Sequence, residues 1–459
     1  MEFTRSIIED HKNSEIYKNA VLAEEYDRRR NRTIVRYQKL LYTMSGRTVP
    51  DNYSANFKMC SNFFDLIVTQ EYQYLLSNGV DWQEDTTAQK LGEYFDTELQ
   101  KLGKEALIGG VAFGFWNLDH LEVFSVSEFA PLYDEENGAL MAGVRFWQID
   151  STKPLRATLY ELDGYTEYIW DGKGARVLSP KRAYIVHTTT SKVDGTQIYD
   201  FENYPTFPII PLWGSQKKQS EIVGLQENID AYDLVKSGFA NDLDDASQIY
   251  WILKNAGGMD ETDVVAFLNK MKRVHAANLE DGVEAQANTI EVPYAAREAL
   301  LTRLRDDIFE QAMAFDSKKI ASGGSVVTAA IKAAYQPLDS KTDEFELCVR
   351  NFLKNLLAVA GIESENPTFT RSMLINQQEQ VQTILSAGQY LPQEYITRKI
   401  LTILGDGDKA DDILDQMDAD NLERMSGGSA GEENAEGTTD EEEKENPSQG
   451  AELPQNGEE

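Results

Sequence analysis

Apolar positions recur at spacings of three and four along most of the chain, and the places where that rhythm breaks divide it into regions. From Met1 to about Lys39 the pattern is helical and ends in the basic run Arg28-Arg29-Arg30-Asn31-Arg32, which reads as a solvated face or as a surface pairing with acidic neighbours. Asn56 to Leu76 repeats the helical period, with Phe57, Phe63, Phe64, Ile67 and Tyr74 as core candidates. Asp85 to Ile108 predicts another helix, followed by Gly109-Gly110-Val-Ala-Phe-Gly114-Phe115. That stretch lacks the lysine and Ser/Thr of a P-loop and the GxGxxG spacing of a dinucleotide site, so its glycines point to close packing of a helix on a strand. Between Leu121 and Trp213 the period shortens to two. Val123-Phe124, Val144–Trp147, Leu159-Tyr160, Tyr168–Trp170 and Ala183–Val186 read as short strands bounded by Asn137-Gly138, Asp163-Gly164, Asp171-Gly172 and Asp194-Gly195. This predicts an antiparallel sheet inside an α+β domain, closing at a Tyr204–Trp213 segment too rich in proline for a central strand.

A long helix is expected from near Ser220, because Ile222, Leu225, Ile229, Tyr232, Val235, Phe239 and Leu243 share one face. At 1.5 Å per residue, about 26 residues make a rod of roughly 39 Å. Its other faces are acidic, with Glu221, Glu227, Asp230, Asp233, Asp242, Asp244 and Asp245 against Lys236. A compact insert follows: a strand at Ile249–Leu253, a helix from an Asp260 cap to about His275, and a strand near Thr289–Val292. A second long helix runs from Tyr294 to about Phe315, with Leu300, Leu301, Leu304, Ile308, Phe309 and Ala312 on its apolar side. Lys318 to Val326 is a loop by composition. The next helix, about Thr328 to Ala360, contains Pro337, which must kink or interrupt it. Shorter helices are expected near 372–387, 392–404 and 409–424, and residues 426–459 are disordered by composition.

The chain has 459 residues, 41% of them hydrophobic, enough for two or three packed domains. No apolar run reaches the roughly 20 residues that cross a bilayer, and the polar N-terminus has no secretory h-region, so no export is expected. Cys60 and Cys348 stand far apart and read as reduced core thiols. The balance of 44 basic against 77 acidic residues, net −33, argues against a surface that grips DNA or an anionic membrane, because such affinity comes from neutralised phosphates. It suits a surface that DNA must pass without sticking.

Candidate chemistry is sparse. His11, His120, His187 and His275 show no HxxxH or HExxH spacing, no Cys/His cluster suits zinc, and no kinase, P-loop or GxSxG signature occurs. Asp406-Gly-Asp408-Lys-Ala-Asp411-Asp412 lacks the fifth and twelfth ligands of an EF-hand, where Ala410 and Met417 stand. Thr383–Leu401 has the rhythm of a helix-turn-helix, but Arg398 and Lys399 sit in acidic surroundings, and a packing hairpin fits better. No enzyme activity and no cofactor are expected.

The order of elements says more than any single residue: an α+β domain, a long acidic helix, a small α/β insert, a returning helix, a Gly/Ser loop, a proline-containing helix and a helical end. Four segments carry the resemblance: Asn228-Ile-Asp-Ala-Tyr232-Asp-Leu-Val-Lys-Ser237, Phe239-Ala-Asn-Asp-Leu-Asp-Asp245, Gly103-Lys-Glu-Ala-Leu-Ile-Gly-Gly110 and Ala387-Gly-Gln-Tyr-Leu-Pro392. With them, residues 20–415 resemble the portal proteins of tailed bacteriophages, in the siphophage branch. The resemblance implies a predominantly helical α+β portal fold: a wing over 1–220, a first stem helix at 221–246, a clip at 247–293, a second stem helix at 294–317, a tunnel loop at 318–327, a kinked wing helix at 328–362 and a crown at 363–425, before the acidic tail of 426–459. It implies a ring, typically of twelve copies, at one capsid vertex of the virion, assembled in the host cytoplasm. Double-stranded DNA would pass through that ring in packaging and ejection. Terminase and head-completion proteins would dock at the clip, and scaffold and major capsid protein at the wing.

On that reading Lys318, Lys319, Ser322, Gly323, Gly324 and Ser325 come near DNA. The two lysines either centre the duplex or complement the dipole at a helix C-terminus. Glu227, Asp230, Asp233, Asp242, Asp244 and Asp245 keep the stem wall repulsive, and reversing Asp230 and Asp233 to lysine is expected to impair packaging more than ring assembly. The alternative is a ring-forming capsid adaptor that conducts no DNA.

Overall fold

The structure is a computed structural model that describes residues 2–42, 46–51, 56–171, 174–190, 197–246, 250–254, 260–274, 284–288, 293–318, 328–372 and, beyond these, 381, 384–386, 388, 390–405 and 407–427. The chain divides into two units, Met1–Leu374 and Ile375–Glu459.

The N-terminal periodicity resolves into three helices, α1 (Glu2–Asn13), α2 (Glu15–Asp27) and α3 (Arg32–Arg36). Ser14 starts α2 by accepting the Tyr17 N–H at 3.2 Å, which satisfies one of the orphan donors of a helix start. Past α2, Arg29 takes a positive φ of 57°, and the basic run is spent on ion pairs: Arg28 with Glu24, Arg29 with Asp65 and Arg32 with Glu25. A short hairpin of β1 (Leu40–Tyr42) and β2 (Thr48–Pro50) follows, then α4 (Phe63–Leu76), α5 (Asp85–Leu91) and α6 (Phe95–Gly109). The expected 85–108 helix is thus two, broken at Gly92, whose φ is 89°. Phe64, Ile67 and Tyr74 are buried as predicted, whereas Phe57 lies outside α4 and half exposed.

The strand region is several sheets rather than one. Chain order runs β3 (Val111–Asn117), β4 (His120–Ser125), β5 (Phe129–Tyr133), β6 (Leu140–Trp147), β7 (Leu155–Glu161), β8 (Gly164–Asp171), β9 (Gly174–Arg182), β10 (Ile185–Thr190), β11 (Gln197–Glu202) and β12 (Ile209–Trp213). Strands β5 to β9 form a five-stranded antiparallel meander, β10 pairs with β11, and the third sheet has the order β12-β3-β4. Strand β12, with Pro211 opposite Phe113, is an edge, where a missing N–H is tolerated.

Gly114 does pack a helix onto β3, whereas Gly110 is pressed by the returning chain at Gln219 and Ser220. At Gly114 a Cβ would stand 2.7 Å from the Phe352 ring, and at Gly110, with φ 83°, 2.7 Å from the Gln219 backbone. Gly110→Ala should therefore cost about 2–4 kcal/mol, from a left-handed residue gaining a Cβ and from overpacking. The check is the urea midpoint at unchanged slope; a midpoint equal to that of the parent would refute the close-packing account.

Next come α7 (Gln226–Ala246), β13 (Tyr250–Lys254), α8 (Glu261–Val274), β14 (Glu284–Asn288), α9 (Tyr294–Gln311) and α10 (Thr328–Ala360). Helix α7 begins six residues later than expected, and its 21 residues make a rod of about 32 Å. In the insert, β13 and β14 pair antiparallel. Asp260 and Asp263 cap α8 reciprocally, each carboxylate accepting the other's N–H at 2.9 and 3.1 Å. The strand expected near Thr289–Val292 falls outside the described residues; β14 precedes it. Helix α10 continues through Pro337, leaving the Ala333 carbonyl without its helical donor. Its Val349, Phe352, Leu353, Leu356 and Leu357 belong to the main core with α4, α6, β3 and β4. Residues 363–372 also lie on this first unit. Asp81 and Thr368 exchange backbone hydrogen bonds at 3.0 Å, and Arg371 reaches Asp339, Asp343 and Glu346 along α10.

In the second unit the described helices are α11 (Gln393–Leu404) and α12 (Ala410–Gly427). Arg398 is held by Asp411 of α12 at 2.7 Å and by Glu394 at 3.7 Å, and part of the hairpin expected over Thr383–Leu401 lies outside the described residues. Most of the helix expected near 372–387 lies outside the described residues. Among the described residues, no helix is long and apolar enough to cross a membrane.

Candidate functional site

Helices α7 and α9 run antiparallel and touch along their length. Asn228 donates to Gln311 at 2.7 Å near one end, and Phe239 meets Tyr294 at 5.7 Å between ring centroids near the other. One turn further on, Arg297 pairs with Asp242. Ile229 and Ile308 are buried in the main core, whereas Leu243 and Leu300, on the apolar stripes nearer the insert, are about half exposed. The predicted pair of amphipathic rods joined by a small α/β insert is therefore present.

The other side of α7 is covered by an extended segment. The Ser61 N–H donates to Asp233 at 2.9 Å, Met59 N–H to Ser237 at 3.0 Å and Phe57 N–H to Asn241 at 2.6 Å. Asp233, Ser237 and Asn241 are four apart, so they stack on one helix face, and all three are buried. Alternate backbone N–H groups of an extended chain point the same way, which is why residues 57, 59 and 61 answer them. This ladder replaces the helical start expected at Asn56.

It also corrects the acidic face. Asp233 is 0% exposed and takes a further hydrogen bond from Asn31, while burial raises its pKa. Asp230 accepts from the Tyr26 hydroxyl at 2.5 Å and the Thr33 hydroxyl at 2.7 Å. These two acids secure α2 and α3 to α7 and are not an outward wall, so reversing them attacks the fold before it touches any channel. Asp242 is engaged by Arg297. Glu227 and Asp244 are exposed, and the side chain of Asp245 is outside the described residues.

The loop expected at 318–327 has built roots. After α9, Asp316 receives both guanidinium nitrogens of Arg305, at 2.6 and 2.8 Å, and the Lys318 N–H at 3.1 Å. The Phe315 ring stacks on Tyr335 of α10 at 4.0 Å, and Tyr335 stacks on Tyr74 of α4 at 5.6 Å. Gln70 adds a hydrogen bond to the Phe315 carbonyl at 3.0 Å. Lys318 is exposed; Lys319, Ser322, Gly323, Gly324 and Ser325 lie outside the described residues.

A buried charge cluster that the sequence reading did not single out joins α4, the approach to α7 and α10. Lys341 Nζ lies 2.7 Å from Glu71 and 2.5 Å from Glu221. Glu71 is 1% exposed, and with Glu221, Glu344 and Lys341 it lines a cavity of about 380 Å³. Burial, with a second carboxylate sharing the same ammonium, pushes the Glu71 pKa well above the usual carboxylate range.

Of the histidines, His11 is part-buried, within hydrogen-bonding distance (2.8 Å) of the Val126 carbonyl, and burial lowers its pKa. His120 and His187 are exposed beside acidic residues, and His275 falls outside the described residues. Among the described residues no group of His, Cys, Asp and Glu is placed to hold a metal ion.

Comparison with known proteins adds the following. The family described as Phage portal protein, SPP1 Gp6-like, matches residues 5–422. The portal protein of Clostridium phage phiCD119 is 25% identical over 381 residues, covering 75% of this chain and 81% of that protein. The portal protein of Bacillus phage SPP1 is 23% identical over 381 residues, covering 77% and 74%. Among solved structures, a chain from the neck of an empty GTA particle computed with C6 symmetry aligns at 11% identity and a TM-score of 0.41, over 75% of this chain and 90% of that one. A chain from the neck of a native GTA particle computed with C12 symmetry gives 12%, 0.40, 74% and 89%.

Proposed function

The chain belongs to the SPP1 Gp6-like family of phage portal proteins, and we propose that it acts as the ring at one capsid vertex through which double-stranded DNA is packaged and ejected. The observation that carries this is the family match over residues 5–422. The antiparallel α7–α9 pair, returning from a small α/β insert, supports it. On this reading 1–220 is the wing that faces scaffold and major capsid protein, and 221–246 and 294–317 are the stem. Residues 247–293 are the clip for terminase and head-completion proteins, 318–327 the tunnel loop, 328–362 the kinked wing helix and 363–425 the crown. The ring takes its place in the virion after assembly in the host cytoplasm. It needs no cofactor and performs no catalysis.

The physical argument concerns sliding. Duplex DNA carries roughly one negative charge per 1.7 Å of axis, so each fixed cation on the wall adds a well that moving DNA must leave. A chain of net −33 supplies repulsion through its summed field rather than through one stripe, because Asp230, Asp233 and Asp242 are occupied within the fold. Among the described stem acids, Glu227 is an exposed one that can take this role. Lys318, held at the loop root, and Lys319 are the positive groups that would centre the duplex. Negative-stain microscopy of the purified protein should show rings with an axial opening wide enough for duplex DNA. A chain that stays monomeric at high concentration, or closes into rings without an opening, would sink this reading.

A further inference from the structure

We propose that the cavity bounded by α4, the approach to α7, the end of α9 and α10 binds a small aliphatic amine as its ammonium ion, a site independent of the ring reading above. The cavity holds about 380 Å³, within the span of small-molecule sites, about 300–1,000 Å³. Its lining has more carboxylates than its ammonium groups serve. Lys341 Nζ donates to Glu221 at 2.5 Å. That ammonium also lies 2.7 Å from Glu71 Oε2, but poorly aligned, so this oxygen, on a residue 1% exposed, accepts no hydrogen bond. Glu344 adds a third negative charge to the lining, close enough to raise the Glu71 pKa further, and accepts the Gln216 N–H at 2.8 Å. Lys217, the other cation of the lining, is exposed to solvent. A buried carboxylate oxygen without a donor is costly; a second ammonium between Glu71 and Glu344 would supply one.

The lining favours an organic cation over a metal ion. Among the described residues no group of His, Cys, Asp and Glu is placed to hold a metal, whereas an ammonium reaches separate carboxylates through N–H bonds that point in different directions. The C-terminal end of α9 opens on the cavity at Gln311, Ala312 and Met313, and the negative end of a helix dipole also favours a cation. Val223, Ala312 and Met313 give apolar wall for a methylene chain. Met313 holds a left-handed φ of 53°, the kind of backbone strain that collects at ligand sites.

The test is isothermal titration calorimetry of the full chain with putrescine, a short diamine, at a pH above the raised Glu71 range, where an alkylamine is still protonated. Saturable binding is expected, with none for tetramethylammonium, which has the charge but no N–H. Glu71→Gln and Glu344→Gln should each weaken binding at least about tenfold, and Glu363→Gln, at an exposed position, should leave it unchanged. Misfolding of one cavity variant leaves the other as the test. The charged groups facing Glu71 are Lys341, Glu221 and Glu344. Its ionised form is the one that holds a cation, so affinity should rise with pH through the Glu71 range in the parent and not in Glu71→Gln, a profile that a purely structural role would not produce. No saturable heat, equal binding of tetramethylammonium, or parental affinity in both Glu71→Gln and Glu344→Gln would overturn the proposal. Nα-acetyl-lysine amide mimics a side chain of another protein; tighter binding of it than of putrescine would give the cavity to a protein partner and overturn the proposal as well.

Discussion

Replacing Lys341 with methionine should destabilise the protein by about 3–5 kcal/mol, the range for removing one partner of a buried ion pair. Methionine keeps most of the volume, so the loss is electrostatic: Glu71 and Glu221 would face each other across the cavity edge with no cation between them. Glu71→Gln should cost much less, because it removes one of the two competing carboxylates and still leaves Glu221 paired with Lys341 at 2.5 Å. The pH dependence follows with a definite sign. Glu71 has a folded pKa raised above its unfolded one, with burial the largest cause, so its contribution is fully present at low pH. It is lost as pH rises from the ordinary glutamate range through the raised one. Thermal melting of the parent should therefore decline over that interval, and Glu71→Gln should flatten the decline. Melting curves in which Lys341→Met and Glu71→Gln fall together, with the same pH slope as the parent, would exclude this assignment.

Two acids on one helix should behave in opposite ways. Asp233→Lys places an ammonium at a site that is 0% exposed and takes away the acceptor of the Ser61 and Asn31 donors. A loss of at least about 3 kcal/mol, seen as insoluble protein or a collapsed denaturation midpoint, is expected. Glu227→Lys, on an exposed position two turns earlier, should stay within about 0.5 kcal/mol of the parent. Similar midpoints for the two variants would mean that Asp233 is not buried in the folded chain.

The contrast shows what periodicity can and cannot reveal. The apolar stripe of α7 was readable because Ile229, Tyr232 and Phe239 repeat at helical spacing and do face α9 or the core. The acids between them looked like a solvated face, since nothing local in the sequence says that residues 57–61 return to cover it. Phe57 was placed in a helix core for the same reason: its segment has the right period, but its backbone donors are answered by α7 and not by a helix of its own. Glu71 and Lys341 did leave a trace. Each stands on an apolar stripe, Glu71 between Ile67 and Tyr74 and Lys341 between Leu338 and Phe345, where an unpaired charge would be costly to bury. Two charges of opposite sign, each interrupting an apolar stripe, imply a buried pair; their distance in the chain hides which partners meet. Strand positions were legible from alternation and Asx-Gly turns, whereas their division into separate sheets depends on long-range pairing such as β12 with β3, about a hundred residues apart.

The ladder between residues 57–61 and α7 has a built-in limit to its length. Two residues of extended chain advance about 6.6 Å, while four residues of helix advance about 6.0 Å, so each successive rung arrives roughly 0.6 Å out of step. Across three rungs the slip stays near 1 Å, which side-chain rotation absorbs; a fourth would approach 2 Å and fall outside hydrogen-bonding range. The two periods act like the scales of a vernier, in coincidence over one short stretch only. The mismatch limits how long the ladder can be, while its position is set by the acceptor side chains of Asp233, Ser237 and Asn241, since Ile229 one step further along the helix has nothing to offer a fourth donor.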